Sequence, residues 1–414
     1  MSDSPTFVKR PEQESVFTRR FWLLCCSTVL FMASFGMVLP ELPAYLRGLG
    51  RPDLIGWIVG LFTIGAFASR FFSGRIADSA GRRPVMLFGT WIAVFAGFAY
   101  IAVGWFAPES QLVVDDLPFA VVLFLGVRLL HGMSTGFRPT GTTAYLTDIM
   151  PLSRRGEALG YLGVAGNAGM AAGPALGSWL TVEVGYNAMF FASSGLGLAA
   201  LLMTFLLPES LPNARPMRGS DLNVFKGPSM DVAAWPSALT LLPVAFAFGT
   251  FLTLTPDFVE SLGYVYKGSF NTIVVAASIA MRFIAGKASD RHGRLPLMII
   301  GTAMLTCAMW LFAIADSSGL ATLAGVVYGL SVGINMPTIF AWTADLANKG
   351  KVALALGTML MSLELGIGLG AVISGKWYGG DLNQIEDIFH FCAVLAVLSL
   401  LGLCTGQWQA RKTG

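Results

Sequence analysis

Long apolar runs recur along the whole chain, separated by short polar stretches. Residues 21–46, 54–76, 84–106, 118–148, 156–181 and 187–208 form six runs. Residues 234–258, 269–288, 295–314, 319–345, 351–375 and 387–408 form six more. A helix needs roughly 20 apolar residues to cross a bilayer, and each run reaches that length. The longest polar interruption runs from Pro208 to Asp231, is rich in Pro, Ser, Asn and Arg, and divides the runs six and six. The pattern predicts an all-α integral membrane protein with twelve transmembrane helices. Its expected parts are a polar tail (1–20), a six-helix bundle (21–208), a linker (209–232), a second bundle (233–408) and a short tail (409–414).

Composition excludes a water-soluble domain. Of 414 residues, 55% are hydrophobic and 12% charged, and the mean hydropathy is +0.67. A soluble domain carries roughly 25% charged residues. Charge also orients the chain. Of 27 Lys and Arg, nineteen fall on the face that would hold both termini and the linker. Four (Arg47, Arg51, Lys267, Lys376) fall on the other face, and four (Arg70, Arg128, Arg138, Arg282) lie within or at the ends of the runs. Basic loops stay on the cytoplasmic side, so both termini are expected in the cytoplasm, and the expected location is the cell inner membrane. The first run is too long for a signal-peptide core and reads as an uncleaved helix. Trp22, Trp105, Trp235, Trp377 and Trp408 fall near run ends, as an interfacial belt requires. The five cysteines lie inside apolar runs and read as packing residues.

The two halves repeat each other. Residues 70–90 and 282–302 are identical at ten of 21 positions at a constant offset of 212, including Arg70/Arg282, Asp78/Asp290 and Arg82/Arg294. An offset of 197 pairs Gly132/Gly329, Asp148/Asp345, Gly169/Gly366 and Gly173/Gly370. A duplicated six-helix unit gives two pseudosymmetric bundles with a cleft between them, the architecture of secondary transporters.

The run GRIADSAGRR (74–83) resembles the signature between the second and third helices of the major facilitator superfamily, and GKASDRHGR (286–294) resembles its second copy. The copies depart from it at Ser79 and Leu295. RLLHG (128–132) resembles the fourth-helix motif, with His131 in place of glutamine. GNAGMAAGPALG (166–177) resembles the fifth-helix motif that the family associates with proton-driven exporters. Pro208-Glu209-Ser210 closes the sixth run as those exporters do. The resemblance spans the chain and points to the 12-helix drug/sugar:proton antiporter branch. It implies that Asp78, Arg82 and Asp148, with the symmetric Asp290, Arg294 and Asp345, form clusters that latch the halves when the cytoplasmic side is shut. The plainer alternative is that these loops only fix orientation. It also implies that the packing motif Gly166, Gly169, Gly173, Pro174 and Gly177 faces the eighth helix as a hinge or seal. By the residues alone, such a stripe packs helices closely, with a bend at Pro174.

Ionisable groups at bilayer depth are costly and mark function. Glu364, midway along its run and opposite Asn167 in the repeat register, reads as a lone carboxylate suited to carry a proton or pair with a cationic substrate. Arg128 and His131 share a helix face. Arg128 resembles the family arginine that tunes a nearby carboxylate, and His131 is either a titrating group or a hydrogen-bonded core residue. Arg138 reads as a contact for a substrate anion, a partner of Glu364, or a vestibule residue. Glu41 and Asp257 end their runs beside Pro40, Pro43 and Pro256, where breaks are expected; they are proton-handling candidates or solvated helix ends. Phe35, Tyr145, Tyr161, Asn271, Asn335 and Trp342, with Asn167, are candidate cavity liners, although aromatics on such helices more often pack.

The leading reading is a proton-coupled exporter of a small organic molecule. A proton-coupled importer is the alternative, and a membrane receptor or enzyme of the same topology is a third. Three scattered histidines give no converging catalytic set, and no Gly-x-x-x-x-Gly-Lys-Ser/Thr run supports ATP drive. The expected partners are a small-molecule substrate and the bilayer. No nucleic acid, metal or cofactor is expected, and the chain is expected to act as a monomer driven by the proton gradient.

Overall fold

A computed structural model describes residues 17–106, 113–114, 117–151, 154–212, 214–215, 230–347 and 352–413. Its helices are α1 (Arg19–Val38), α2 (Leu42–Gly48), α3 (Ile55–Ala80), α4 (Arg82–Trp105), α5 (Phe119–Ile149), α6 (Arg155–Glu183) and α7 (Tyr186–Phe205). The second half holds α8 (Trp235–Ser261), α9 (Lys267–His292), α10 (Arg294–Ala313), α11 (Ser318–Leu346), α12 (Val352–Tyr378) and α13 (Gln384–Thr413). Among the described residues, eleven helical stretches are long and apolar enough to cross a membrane. α6 has the length, at 29 residues, but its glycines and Asn167 dilute its apolarity. The first half is α1–α7 and the second is α8–α13.

Prolines act differently in the two halves. The run expected as one helix over 21–46 breaks after Val38, and α2 restarts with Pro43 in its first turn. The break expected near Pro256 is absent: α8 continues through it to Ser261. Packed neighbours in a membrane bundle compensate for the lost backbone bond. α6 likewise runs on through Pro174.

Equivalent glycines make equivalent turns. Gly81 joins α3 to α4 at φ +116°, and Gly293 joins α9 to α10 at φ +88°. Both values lie where a side chain is strained. Between α4 and α5, Val113–Val114 pairs antiparallel with Leu117–Pro118.

Each half has an aromatic core. Tyr100 stacks on Phe190 in the first half, and Phe251 stacks on Tyr328 and Phe312 on Phe389 in the second. Trp91, Phe95, Leu202, Val394 and Leu398 are exposed, so the outer surface is apolar, as a lipid-facing surface must be. Cys25 and Cys392 are buried as expected of packing residues, but Cys26, Cys307 and Cys404 face outward.

The glycine stripe of α6 packs within its own half. A Cβ at Gly169, Gly173 or Gly177 would lie closer than 3.0 Å to the carbonyl oxygen of Val29, Ala33 or Met37 on α1. Gly366 and Gly370 of α12 meet Leu242 and Phe246 of α8 in the same way. For Gly169, Gly173 and Gly177 the expectation that they face the eighth expected helix (269–288, here α9) is therefore corrected. Pro174 of the same motif, with its neighbours Ala171 and Ser178, is what meets α9.

Candidate functional site

Glu364 stands 12 residues from one end of α12 and 14 from the other. It is 8% exposed and is not a lone carboxylate. Arg70 of α3 reaches it across the two halves, donating from Nε at 3.1 Å and Nη2 at 2.8 Å to Oε1. The pair sits beside a cavity of about 630 Å³ between α3, α8 and α12, lined by Trp57, Thr63, Phe67, Trp235 and Leu365 with Glu364 as its one acid. A guanidinium held by two donors to a carboxylate is a strong contact, and here it joins the halves near mid-depth.

The first-half cations cluster elsewhere. Arg128 is fully buried; its Nε donates to the Ile58 carbonyl at 2.8 Å and its Nη1 to Tyr100 Oη at 3.3 Å. Its guanidinium lies 4.8 Å from the Phe62 ring centre, and Phe35 stacks on Phe62 at 5.0 Å. His131 is buried beside it, with Nδ1 3.4 Å from Tyr100 Oη. Arg128 Nη2 and His131 Nε2 have no partner among the described residues. The structure thus joins Arg128, His131 and Phe35, but separately from Glu364.

Arg138 is also buried, and it points into the first bundle. Its Nη1 donates to Thr90 and, at 3.1 Å, to Thr204; Nη2 donates to Ser27 at 2.9 Å; Phe31 lies under it at 4.9 Å. Arg138 does not pair with Glu364, and three hydroxyls take its Nη donors. Asn335 takes the equivalent place in the second half: a Cβ at Gly301 would press on it as one at Gly89 would press on Arg138. Arg138 also borders a cavity of about 360 Å³ between α1, α5 and α6. Arg138→Gln is expected to lower the thermal midpoint of the purified protein and leave its substrate profile unchanged, because a hydroxyl cage built for a cation loses it. A changed substrate profile at unchanged stability would contradict this.

The remaining candidate liners divide. Tyr145 is buried among Phe21, Leu24 and Met86, away from the cavity beside Glu364. Tyr161 is 44% exposed and packs edge-on against Phe17 and Phe21. Asn271 and Trp342 are half-buried. Asn167 lines the same cavity of about 360 Å³ as Arg138, with Thr28, Met32 and Thr142.

Away from the basic loops, the halves close on each other. Arg47 of α2 pairs with Asp257 and, at 3.1 Å, with Glu260 of α8, which also takes Lys267 at 2.9 Å. Tyr378 donates to Asp257 at 3.1 Å. Ser178 donates to Glu41 and accepts the Gly268 backbone N–H at 2.7 Å, so α6 is tied to α9. Tyr266 donates to Glu183 at 2.7 Å and Thr272 to the Ala171 carbonyl at 2.6 Å. Glu41 and Asp257 are 2% and 3% exposed. The solvated-end reading is therefore corrected: both carboxylates belong to a closed seal. Toward the basic face, among the described residues, α5 and α11 do not pack on each other. A Cβ at Gly74, Gly160, Gly163, Gly286 or Gly357 would meet nothing within 4 Å. The halves are shut at one face, joined at Arg70–Glu364, and parted at the other.

A family model described as Major Facilitator Superfamily matches residues 24–371 and 266–406. The chain belongs to the Major Facilitator Superfamily. It is a multi-pass membrane transporter. Over 97% of its length it is 24% identical to Multidrug resistance protein 2 of Bacillus subtilis (strain 168), covering 97% of that protein. Over 95% it is 23% identical to Quinolone resistance protein NorA of Staphylococcus aureus (strain MRSA252), covering 98%. Its fold matches the inward open conformation of the xylose transporter XylE from E. coli with a TM-score of 0.74 at 15% identity, over 92% of this chain and 94% of that one.

In this superfamily member the two basic-face clusters form inside their own halves. Arg82 bonds Asp78 and, at 3.1 Å, Asp148; Arg294 bonds Asp290 at 2.6 Å and Asp345 at 2.9 Å. Glu209 accepts the backbone N–H groups of Arg82 and Arg83 at 2.9 and 3.0 Å, capping α4, and Ser210 donates to Asp148 at 2.8 Å. With this face parted, neither cluster bridges the halves. Sequence reasoning missed Arg70 as the partner of Glu364, and Arg47 and Ser178 as the seal. The charge count had already placed Arg70 within a run, and an intramembrane cation calls for a partner.

Proposed function

We propose that this superfamily member exports a small organic molecule in exchange for protons by alternating access, with Glu364 as the proton carrier. One observation carries the reading: the Arg70–Glu364 pair bridges the two halves near mid-depth, beside a drug-sized cavity. A proton on Glu364 removes the charge that holds Arg70 and frees α3 from α12 there. Loss of the proton restores the link. Proton occupancy therefore has different free energies in the two arrangements of the halves, which coupling requires. The multidrug and quinolone resistance proteins among its relatives support an outward direction and a drug-like cargo. The charge asymmetry supports an inner-membrane location with both termini cytoplasmic, so the parted face is cytoplasmic and this conformation receives cargo from inside. The chain works as a monomer with no cofactor, driven by the proton gradient.

Proteoliposomes with a trapped pH dye test this. Quinolone added on the parted face should move in the direction opposite to protons. Movement in the same direction would support an importer. Quinolone transport without any linked proton movement would sink the coupling.

A further inference from the structure

The repeat places Arg282 on α9 where Arg70 stands on α3, and Asn167 on α6 where Glu364 stands on α12. The two seams are built alike. α12 meets α3 through Gly375, Val372 and Gly368 against Gly56, Gly60 and Thr63; α6 meets α9 through Ser178, Pro174 and Ala171 against Gly268 and Thr272. One seam carries an arginine and its carboxylate. The other carries an arginine and an amide. Arg282 is half-buried, its Nε is buried without a hydrogen-bond partner, and no carboxylate pairs with it among the described residues. Asn167 donates to the Gly163 carbonyl at 2.8 Å.

An arginine cannot shed its charge. A cation at membrane depth without a partner is costly and draws an anion. Arg128 and Arg138 also lack carboxylates and are fully buried on the first half; Arg128 is held by the Ile58 carbonyl, Tyr100 and Phe62, and Arg138, at the wall of the 360 Å³ cavity, has its Nη donors taken by three hydroxyls. Arg282 instead is half-buried on α9, fourteen residues beyond Gly268 toward the basic face, and has no such set of partners among the described residues.

We infer that Arg282 reads an acidic group on the cargo: a carboxylate or sulfonate that takes, in the α6–α9 seam, the place Glu364 takes in the α3–α12 seam. The inference rests on the transport reading but not on its proton route. It makes the cargo an amphipathic molecule with an anionic end.

The test uses the full chain in phosphatidylcholine nanodiscs and energy transfer from tryptophan to pyrene. The probes are pyrenebutyrate, its methyl ester and a pyrenebutyl trimethylammonium of the same length. Pyrenebutyrate should bind about tenfold or more tighter than either other probe, as a charge-assisted bond allows. Arg282→Gln should erase the preference and Arg282→Lys should keep most of it. Asn167→Glu should also erase it, by giving Arg282 an internal carboxylate while leaving Arg282 in place. Equal binding of the three probes by the wild type, or a preference that survives Arg282→Gln, would overturn the inference. Glu364→Gln should keep the preference, so a failed proton route and a failed anion site are read separately.

Discussion

Glu364→Gln is expected to reduce proton-driven, uphill transport to the level of protein-free vesicles, while downhill exchange of the same substrate remains measurable. The amide keeps the shape of the side chain and an oxygen that can still accept from Arg70. It cannot exchange a proton. What is lost is the change in charge, which is the only thing that makes the link between α3 and α12 depend on protons. The variant also leaves Arg70 facing a neutral partner. Breaking a buried pair costs about 3–5 kcal/mol, but the Arg70 side chain is 30% exposed, so solvent softens the loss. The protein should therefore fold. Measuring substrate counterflow and pH together separates the possibilities. Coupled flux that persists in Glu364→Gln would move the proton site to Glu41 or Asp257. Loss of downhill exchange as well would mean that the pair holds the fold and does not carry the proton.

Gly268→Val should hold the halves apart at the shut face. A Cβ there would fall on the Pro174 carbonyl of α6 at less than 3.0 Å and press on Ser178, and both obstacles are across the inter-half seam. Neither bundle has to repack to accept the larger residue. The seal alone must open. Overpacking costs about 1–3 kcal/mol, enough to move a nearly balanced two-state equilibrium by about 5- to 150-fold. Labelling of a cysteine placed at Thr272 by a membrane-impermeant reagent from the shut face should rise accordingly, and transport should fall. The same substitution at Gly160, where a Cβ meets nothing within 4 Å, should change neither. At Gly173 it should instead unfold the first half, because there the obstacle is the backbone of α1 within the same bundle. Unchanged labelling in a folded Gly268→Val protein would mean that the seal yields without opening.

The number, length and order of the helices were legible because a bilayer imposes a local rule. Every segment of about 20 residues is either apolar enough to cross or it is not, and no distant contact is needed to decide. The repeat was legible for a related reason. Similar loops such as 74–83 and 286–294 meet similar turn geometry, and Gly81 and Gly293 show it at positive φ. Proline was less informative. Pro40 and Pro43 accompany a break and Pro256 does not, because packed neighbours decide whether a lost backbone bond is replaced.

The partners of the charges were decided only by the tertiary structure. The sequence marks Glu364, Arg128 and Arg138 as costly at that depth, but it does not say where each guanidinium points. Arg138 turned into a cage of hydroxyls on α1, α4 and α7, while Arg70, 294 residues from Glu364, became its mate. Glycine patterns had the same limit: spacing makes a stripe, and only the packing of α6 on α1 says which helix the stripe faces. By itself the sequence determined a twelve-helix, duplicated transporter and its charge asymmetry, because hydrophobicity and repetition act along the chain. The tertiary structure alone decided which face is shut, which carboxylates seal it, and which pair links the halves. Those depend on the relative placement of two bundles whose contacts are small residues and paired charges, and such contacts leave no periodic trace in either half.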